Sequence, residues 1–382
     1  MNSPRTTLYR DKQNAKLLGV CSGIADYTGV NVMWVRLAFI LLLITVAPIL
    51  LPGYFVAGLL LWATTRSQRR DLRVHDGFLL VASTWVVLPL FGALPLLAYI
   101  PDLRFTDAYF EAVSGLTATG ATVLTGLDDL PLSINLWRTF MHWVGGMGVI
   151  VLVVAILPLL GIGGRQLYKA EVPTPMKDSS LTPRIAETAK GLWMTYVLLT
   201  IACGLSLWWA GLEGWDVVIH AFSIVGLGGF SNKDASLGHF ANLNVEIVAI
   251  VFALLAGLNY ATHYLALIHR TPRPYASDPE LRWFFGVLAV TVVFLSVYLI
   301  EAGAYKDGAL ALRHVSFHAV SLATSLGLAT YDYTLWPMFA QVWILFLSSF
   351  AACSGSTGGG IKMMRAIILY KQVHREIVRA LH

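Results

Sequence analysis

Long apolar runs alternate with short polar stretches along this chain. Predominantly hydrophobic segments lie at roughly 78–100, 135–162, 191–211, 243–268, 283–303 and 336–370. Each is as long as a bilayer is thick, because a helix needs about 20 apolar residues to cross one. Another apolar run, 37–62, is interrupted by Pro48 and Pro52 and follows a polar N-terminal stretch. Between the first and second, third and fourth, and fifth and sixth spans sits a segment about one helix long, too short to cross. The pattern predicts an all-α integral membrane protein built from repeated helix, pore loop, helix units.

The three short segments share one register around a glycine. Counting back from Gly120, Gly229 and Gly327, three before stand Thr117, Gly226 and Thr324; six before, Ser114, Ser223 and Ser321; and eight before, Ala112, Ala221 and Ala319. Nine before stand Glu111, His220 and His318, and ten before, Phe110, Ile219 and Phe317. Apolar, polar and small positions recur together, so one structural unit is used three times. Non-helical backbone at membrane depth is tolerated where it lines a cavity or is packed in protein, so the residues after each short helix are expected to face a water-filled path. They are Thr117-Ala118-Thr119-Gly120, Val225-Gly226-Leu227-Gly228-Gly229 and Thr324-Ser325-Leu326-Gly327. Backbone carbonyls there can replace the hydration shell of an ion, and the carboxyl ends of the short helices favour cations. Asp107 and Asp216, near the helix starts, read either as caps or as ion attractors.

Composition agrees with the membrane reading: 57% of residues are hydrophobic and 13% charged. The net charge of +5 matters less than its distribution, and it does not indicate nucleic acid. Four basic residues lie at 66–73, five at 165–190, three at 270–282 and five at 362–379, while the alternate loops hold Arg104, Arg138, Lys233, Lys306 and Arg313. By the positive-inside rule the richer group is cytoplasmic and the pore loops open outward. Cys21, Cys203 and Cys353 are widely spaced without a C-x-x-C pair, which supports neither a disulfide framework nor a zinc site. Met1 to Arg36 is polar and shows no cleavable signal peptide.

The motifs in order are Phe105-Thr106-Asp107-Ala108, Ser114 to Val123, Trp143-Val144-Gly145-Gly146-Met147-Gly148-Val149-Ile150, Pro183 to Lys190, Gly228-Gly229-Phe230-Ser231 and Gly355-Ser356-Thr357-Gly358-Gly359-Gly360-Ile361-Lys362. Together they resemble the Trk, Ktr and HKT superfamily of potassium transporters, most closely the TrkH/TrkG-type membrane subunits, from about Asp76 to His382. Gly19 to Tyr27 and Val35-Arg36-Leu37 resemble the PspC domain. These resemblances divide the chain into a PspC-like module with an apolar anchor at 1–66 and three pore repeats at 76–170, 184–270 and 280–382. Residues 37–62 fit one span or a bent hairpin.

The resemblance implies a multi-pass protein of the bacterial inner membrane, not an enzyme, that conducts K+ inward through a pseudo-tetrameric path. It implies no covalent cofactor, with K+ at Thr117, Gly226 and Thr324, and a glycine in each filter segment favouring potassium over sodium. It further implies a homodimer in membrane lipid and a soluble RCK-type, TrkA-like nucleotide-binding regulatory subunit. The glycine-rich stretch Gly355, Ser356, Thr357, Gly358, Gly359, Gly360 is expected to be a gating loop, since four glycines in six residues do not hold a regular helix. Lys362 and Arg365 follow it, and Lys362 reads as a charge that repels K+ or locks the loop, or as an interfacial anchor. The family has four repeats and three are readable here, so a separate chain supplying a fourth, a truncated frame and a non-conducting membrane scaffold or stress-response anchor stand as alternatives. Ser325, Leu326 and Leu328 depart from the threonine-rich filter form.

Other motifs were weighed. In Gly355 to Lys362 an isoleucine separates glycine from lysine, so it lacks the phosphate-loop spacing. His314 and His318 have no third ligand in view and read as pore-helix packing, and His142, His220 and His263 as intramembrane polar contacts. Glu111 reads either as a brace for the pore loop or as a tuner of the ion field.

Overall fold

The computed structural model describes residues 74–156, 182–349 and 352–381, all within the unit Leu72–His382. The 1–66 module, the 37–62 run and Cys21 lie outside the described residues. Twelve helices are described: α1 Val74–Tyr99, α2 Phe105–Leu116, α3 Leu132–Ile156, α4 Thr182–Trp209, α5 Trp215–Gly226, α6 Leu243–Ala256, α7 Tyr260–His269, α8 Arg273–Ser277, α9 Pro279–Glu301, α10 Gly308–Ala323, α11 Met338–Ser348 and α12 Met363–Leu381. No strand occurs among the described residues.

Among the described residues a long helix, a pore helix and an apolar inner helix follow one another three times, the inner helix spanning 25, 14 and 11 residues in turn. The short helices α2, α5 and α10 each pack on the long helix before them, α1, α4 and α9. Helix α3 packs against both α2 and α5, and α6 against both α5 and α10, so each inner helix also braces the pore helix of the next unit. Close approach explains the glycines of α3. A Cβ on Gly145 would lie 1.9 Å from the Leu116 carbonyl oxygen, and one on Gly146 3.0 Å from Gly226 Cα, so a side chain at either would push two pore helices away.

Among the described residues three helical segments are long and apolar enough to cross a membrane: Ala82–Tyr99, Gly191–Trp209 and Pro279–Glu301. Helix α9 shows why these suit lipid. Phe284, Leu288, Leu295 and Leu299 are buried while Val290, Val293 and Val297 are exposed, so apolar residues cover both the protein-facing and the outward side. The predicted span at 243–268 is long and apolar enough only as a pair of helices, broken at Gly257–Asn259 with α6 bent from α7 by 92°. Asn259 starts the new helix, its side chain accepting the Ala261 amide. The last predicted span divides into α11 and α12 around the glycine-rich loop.

Candidate functional site

Each short helix ends in the same backbone figure. Two residues before the glycine, Ala118, Leu227 and Ser325 take left-handed φ values of 52°, 51° and 60°, and Gly120, Gly229 and Gly327 follow at 76°, 81° and 78°. Such a conformation costs a residue with a side chain about 1–3 kcal/mol and persists where its surroundings hold it. Here the next amide, of Thr119, Gly228 or Leu326, returns to the carbonyl of Ser114, Ser223 or Ser321 at 2.9, 3.0 and 2.7 Å. The register seen in the sequence is therefore also one of backbone shape.

The three figures meet one another. A Cβ on Gly120 would lie 2.0 Å from the Gly228 carbonyl oxygen, and one on Gly229 would lie 2.3 Å from that of Leu326. Each glycine thus faces the carbonyl one residue before the glycine of the next unit. Beside Gly327 a Cβ would meet only Gly229 Cα, at 3.9 Å, among the described residues. Carbonyl oxygens gathered in this way are hard ligands suited to a partly dehydrated cation.

At the position three before, the hydroxyls of Thr117 and Thr324 donate to their own helices, to Val113 O at 2.7 Å and Val320 O at 2.8 Å. Gly226 has no side chain, so these positions offer chiefly backbone oxygen to the path. The side chains of Leu326 and Leu328 are buried in the central apolar core, whereas Phe230, at the position matching Leu328, is buried against His142 and the Arg138 guanidinium. The departures at Leu326 and Leu328 therefore change core packing, with the backbone figure kept.

The residue nine before the glycine ties the returning chain to each pore helix. Glu111 accepts from the Thr122 hydroxyl at 2.9 Å and the Val123 amide at 3.2 Å. His220 Nε2 lies 3.0 Å from Ser231 Oγ, and His318 Nε2 lies 3.0 Å from Tyr331 O. The histidines are hydrogen-bonded braces. Arg138, counted above among the outer-loop charges, instead lies within α3, fully buried, with Nη2 2.6 Å from Glu111 Oε1. A charge inside an apolar run was the available sequence signal for it. Asp107 and Asp216 are corrected as caps, because neither α2 nor α5 has a side-chain cap; Asp216 instead accepts from Asn232 at 2.6 Å. At the outer mouth the loops after the first two segments interlock, Leu127 N on Asp234 and Asp234 N on Asp128, with Lys233 3.2 Å from Asp128. Partial burial raises the Asp128 pKa, but the Asp234 amide and Lys233 outweigh it and hold the carboxyl below its usual value.

The glycine-rich loop sits directly against the second and third of these segments. Gly359 N donates to Ser325 Oγ at 2.7 Å, and the Thr357 hydroxyl reaches Val225 O at 3.2 Å. A Cβ on Gly358 would lie 2.7 Å from Thr324 O. The α6–α7 break receives the loop's start, Cys353 N on Gly257 O and Tyr260 N on Gly355 O, both at 3.1 Å. Glu280, which sequence reasoning missed, accepts the Ser354 amide at 2.6 Å. Lys362 Nζ donates to the Ser356 and Gly358 carbonyls and so ties the loop to itself. Ser356 also donates to Cys353 O, and Gly360 has a left-handed φ of 82° where the chain turns back toward α12.

Short helices that turn back at glycines packed against a neighbouring unit's carbonyl, between apolar helices, define a membrane protein of the pore-loop class. The TrkH family, described as a cation transport protein, matches residues 53–382, and the chain belongs to that family. The PspC domain matches residues 6–62. Over 333 residues the chain is 45% identical to the Trk system potassium uptake protein TrkH of Escherichia coli K12, covering 86% of this chain and 69% of that one. It is 42% identical over 330 residues to TrkG of the same organism, covering 86% and 68%. The crystal structure of the potassium transporter TrkH from Vibrio parahaemolyticus superposes with a TM-score of 0.76 at 41% identity, over 86% of this chain and 67% of that one.

Proposed function

We propose that this protein carries K+ inward across the bacterial inner membrane, through a path lined by Thr117 to Gly120, Val225 to Gly229 and Thr324 to Gly327. The observation that carries the reading is the contact of Gly120 with the Gly228 carbonyl and of Gly229 with the Leu326 carbonyl, which sets backbone oxygen of one unit against the glycine of the unit before it. Potassium, the ion named for the related Trk proteins, suits such a site because carbonyl dipoles replace its hydration shell. K+ is the cargo here, passing the levels of Thr117, Gly226 and Thr324. The open side of Gly327 is where a further filter segment fits, supplied by more chain or by a partner.

The loop from Gly355 to Gly360, tied by Lys362, is the gate in this reading, since it lies against the Val225 and Thr324 carbonyls. Arg365 follows it in the first turn of α12, at the cytoplasmic end of the path. A homodimer and a soluble nucleotide-binding subunit of the TrkA kind, docked on the basic cytoplasmic segments, complete the system. The test is K+ uptake in cells without their own K+ transporters, with the chain alone and with a fourth repeat supplied. Saturable K+ uptake is expected in at least one setting. Absence of uptake in both, with the protein inserted in the membrane, overturns the proposal in favour of a membrane scaffold.

A further inference from the structure

Arg138 does more than neutralise Glu111. Its Nε and Nη2 both approach Glu111 Oε1, at 2.7 and 2.6 Å, and Nη2 also reaches Thr122 Oγ1 at 3.1 Å. Nη1 donates to Asn135 Oδ1 and to the Ser231 carbonyl, each at 3.2 Å. The guanidinium carbon stands 4.3 Å from the centre of the Phe230 ring. Every guanidinium nitrogen is engaged, and no water is needed to satisfy the fork.

The two partners that matter are equivalent positions of different units. Thr122 lies two residues after Gly120, and Ser231 two residues after Gly229. The matching residue of the third unit, Ala329, is held without any such side chain: its carbonyl accepts from Gly238 N at 3.1 Å, and its amide donates to Ser236 Oγ at 3.2 Å. At this position the second and third units are joined by backbone and a short hydroxyl, and the first and second by the arginine fork. Other contacts join the units elsewhere, Leu127 with Asp234 and Lys233 with Asp128 between the first two, and Glu246 with Arg313 between the second and third.

We propose that Arg138 is a positioning residue for cation selectivity, setting the spacing of the first two filter segments by clamping the chain just beyond Gly120 and Gly229. It touches no ion and acts through Thr122 and Ser231. A rigid fork with donors on several sides can span this gap, but a lysine ammonium offers a single point and cannot hold both strands. Glu111 sets the fork's orientation, as a carboxylate commonly does for an arginine.

The inference rests on the filter reading above, and its test separates the two. Purified protein is heated in K+ or in Na+, and uptake of K+ and Na+ is measured per inserted protein, for the unchanged chain, Arg138→Lys, and the neutral pair Glu111→Gln with Arg138→Gln. The pair avoids the buried unpaired charge that a single neutral change would leave. If the unchanged protein, alone and with a fourth repeat supplied, shows neither K+ uptake nor stabilisation by K+ over Na+, the filter reading fails. If it does show them, both variants are expected to lose roughly tenfold in K+ over Na+ discrimination, about one order in relative affinity, with a raised half-saturation for K+. Unaltered discrimination in either inserted variant overturns the inference. So does loss of insertion in both variants, because Arg138 would then serve folding alone.

Discussion

A methyl group on Gly120 or Gly229 has no space, since the carbonyl of the neighbouring unit lies where it would go. Gly327 shares their left-handed φ but has open space beside it among the described residues. The left-handed penalty of about 1–2 kcal/mol therefore applies to alanine at all three, and a clash with backbone is added at only two. Gly120→Ala and Gly229→Ala should each lower K+ uptake more than roughly tenfold at equal membrane insertion, and Gly327→Ala clearly less. A concentration series of K+ uptake for the three variants checks the ranking; equal losses would mean that backbone conformation alone matters. The glycines were legible as a register, and so were the polar residues nine before them. Their difference in crowding was not, because it depends on which unit's carbonyl lies alongside.

The joined breaks of the inner helices carry the argument at the scale of elements. The glycine-rich loop is held from three sides: by the Gly257–Asn259 break, by Glu280 from the first turn of α9, and by its own Lys362. Four glycines announced an irregular segment, and the loop's place against Val225 and Ser325 followed from folding. The second break was not legible, since apolar residues predominate on both sides of it in the run 243–268 and only the short Gly257-Leu258-Asn259 stretch marks the new helix start. Lys362→Gln removes a charge-assisted tie worth about 1 kcal/mol or more, which moves the balance of closed and open loop by about fivefold. A higher maximal K+ flux with little change in half-saturation is expected from flux measurements in vesicles. An unchanged flux would assign Lys362 to interfacial anchoring.

For the molecule as a whole, orientation follows from charge. The segments at 270–282 and 362–379 are rich in Lys and Arg, and the loops that follow the filter segments are poor in them. Lys306 and Lys371 are both exposed and lie on opposite sides in this arrangement. In a Cys21→Ser background, Lys306→Cys should react with an impermeant thiol reagent on intact cells, and Lys371→Cys only after permeabilisation. Cys203 and Cys353 are buried and should stay silent. Labelling with the opposite sidedness would reverse the direction of the path.

Apolar length and the spacing of small and polar residues by themselves determined that this is a helical membrane protein with a pore loop used three times, because helices in lipid must satisfy their backbone within themselves and leave a strong periodic trace. Family membership was legible too, in motifs spread from Phe105 to Lys362. Only the tertiary structure decided which groups touch across units: Gly229 against Leu326, the glycine-rich loop against Ser325, and Arg138 between Thr122 and Ser231. Such contacts join residues up to 132 positions apart, as Thr357 is from Val225. No local propensity encodes them, since they arise when three separately formed helices compete for the same small space and the side chains that fit between them are selected by shape and charge.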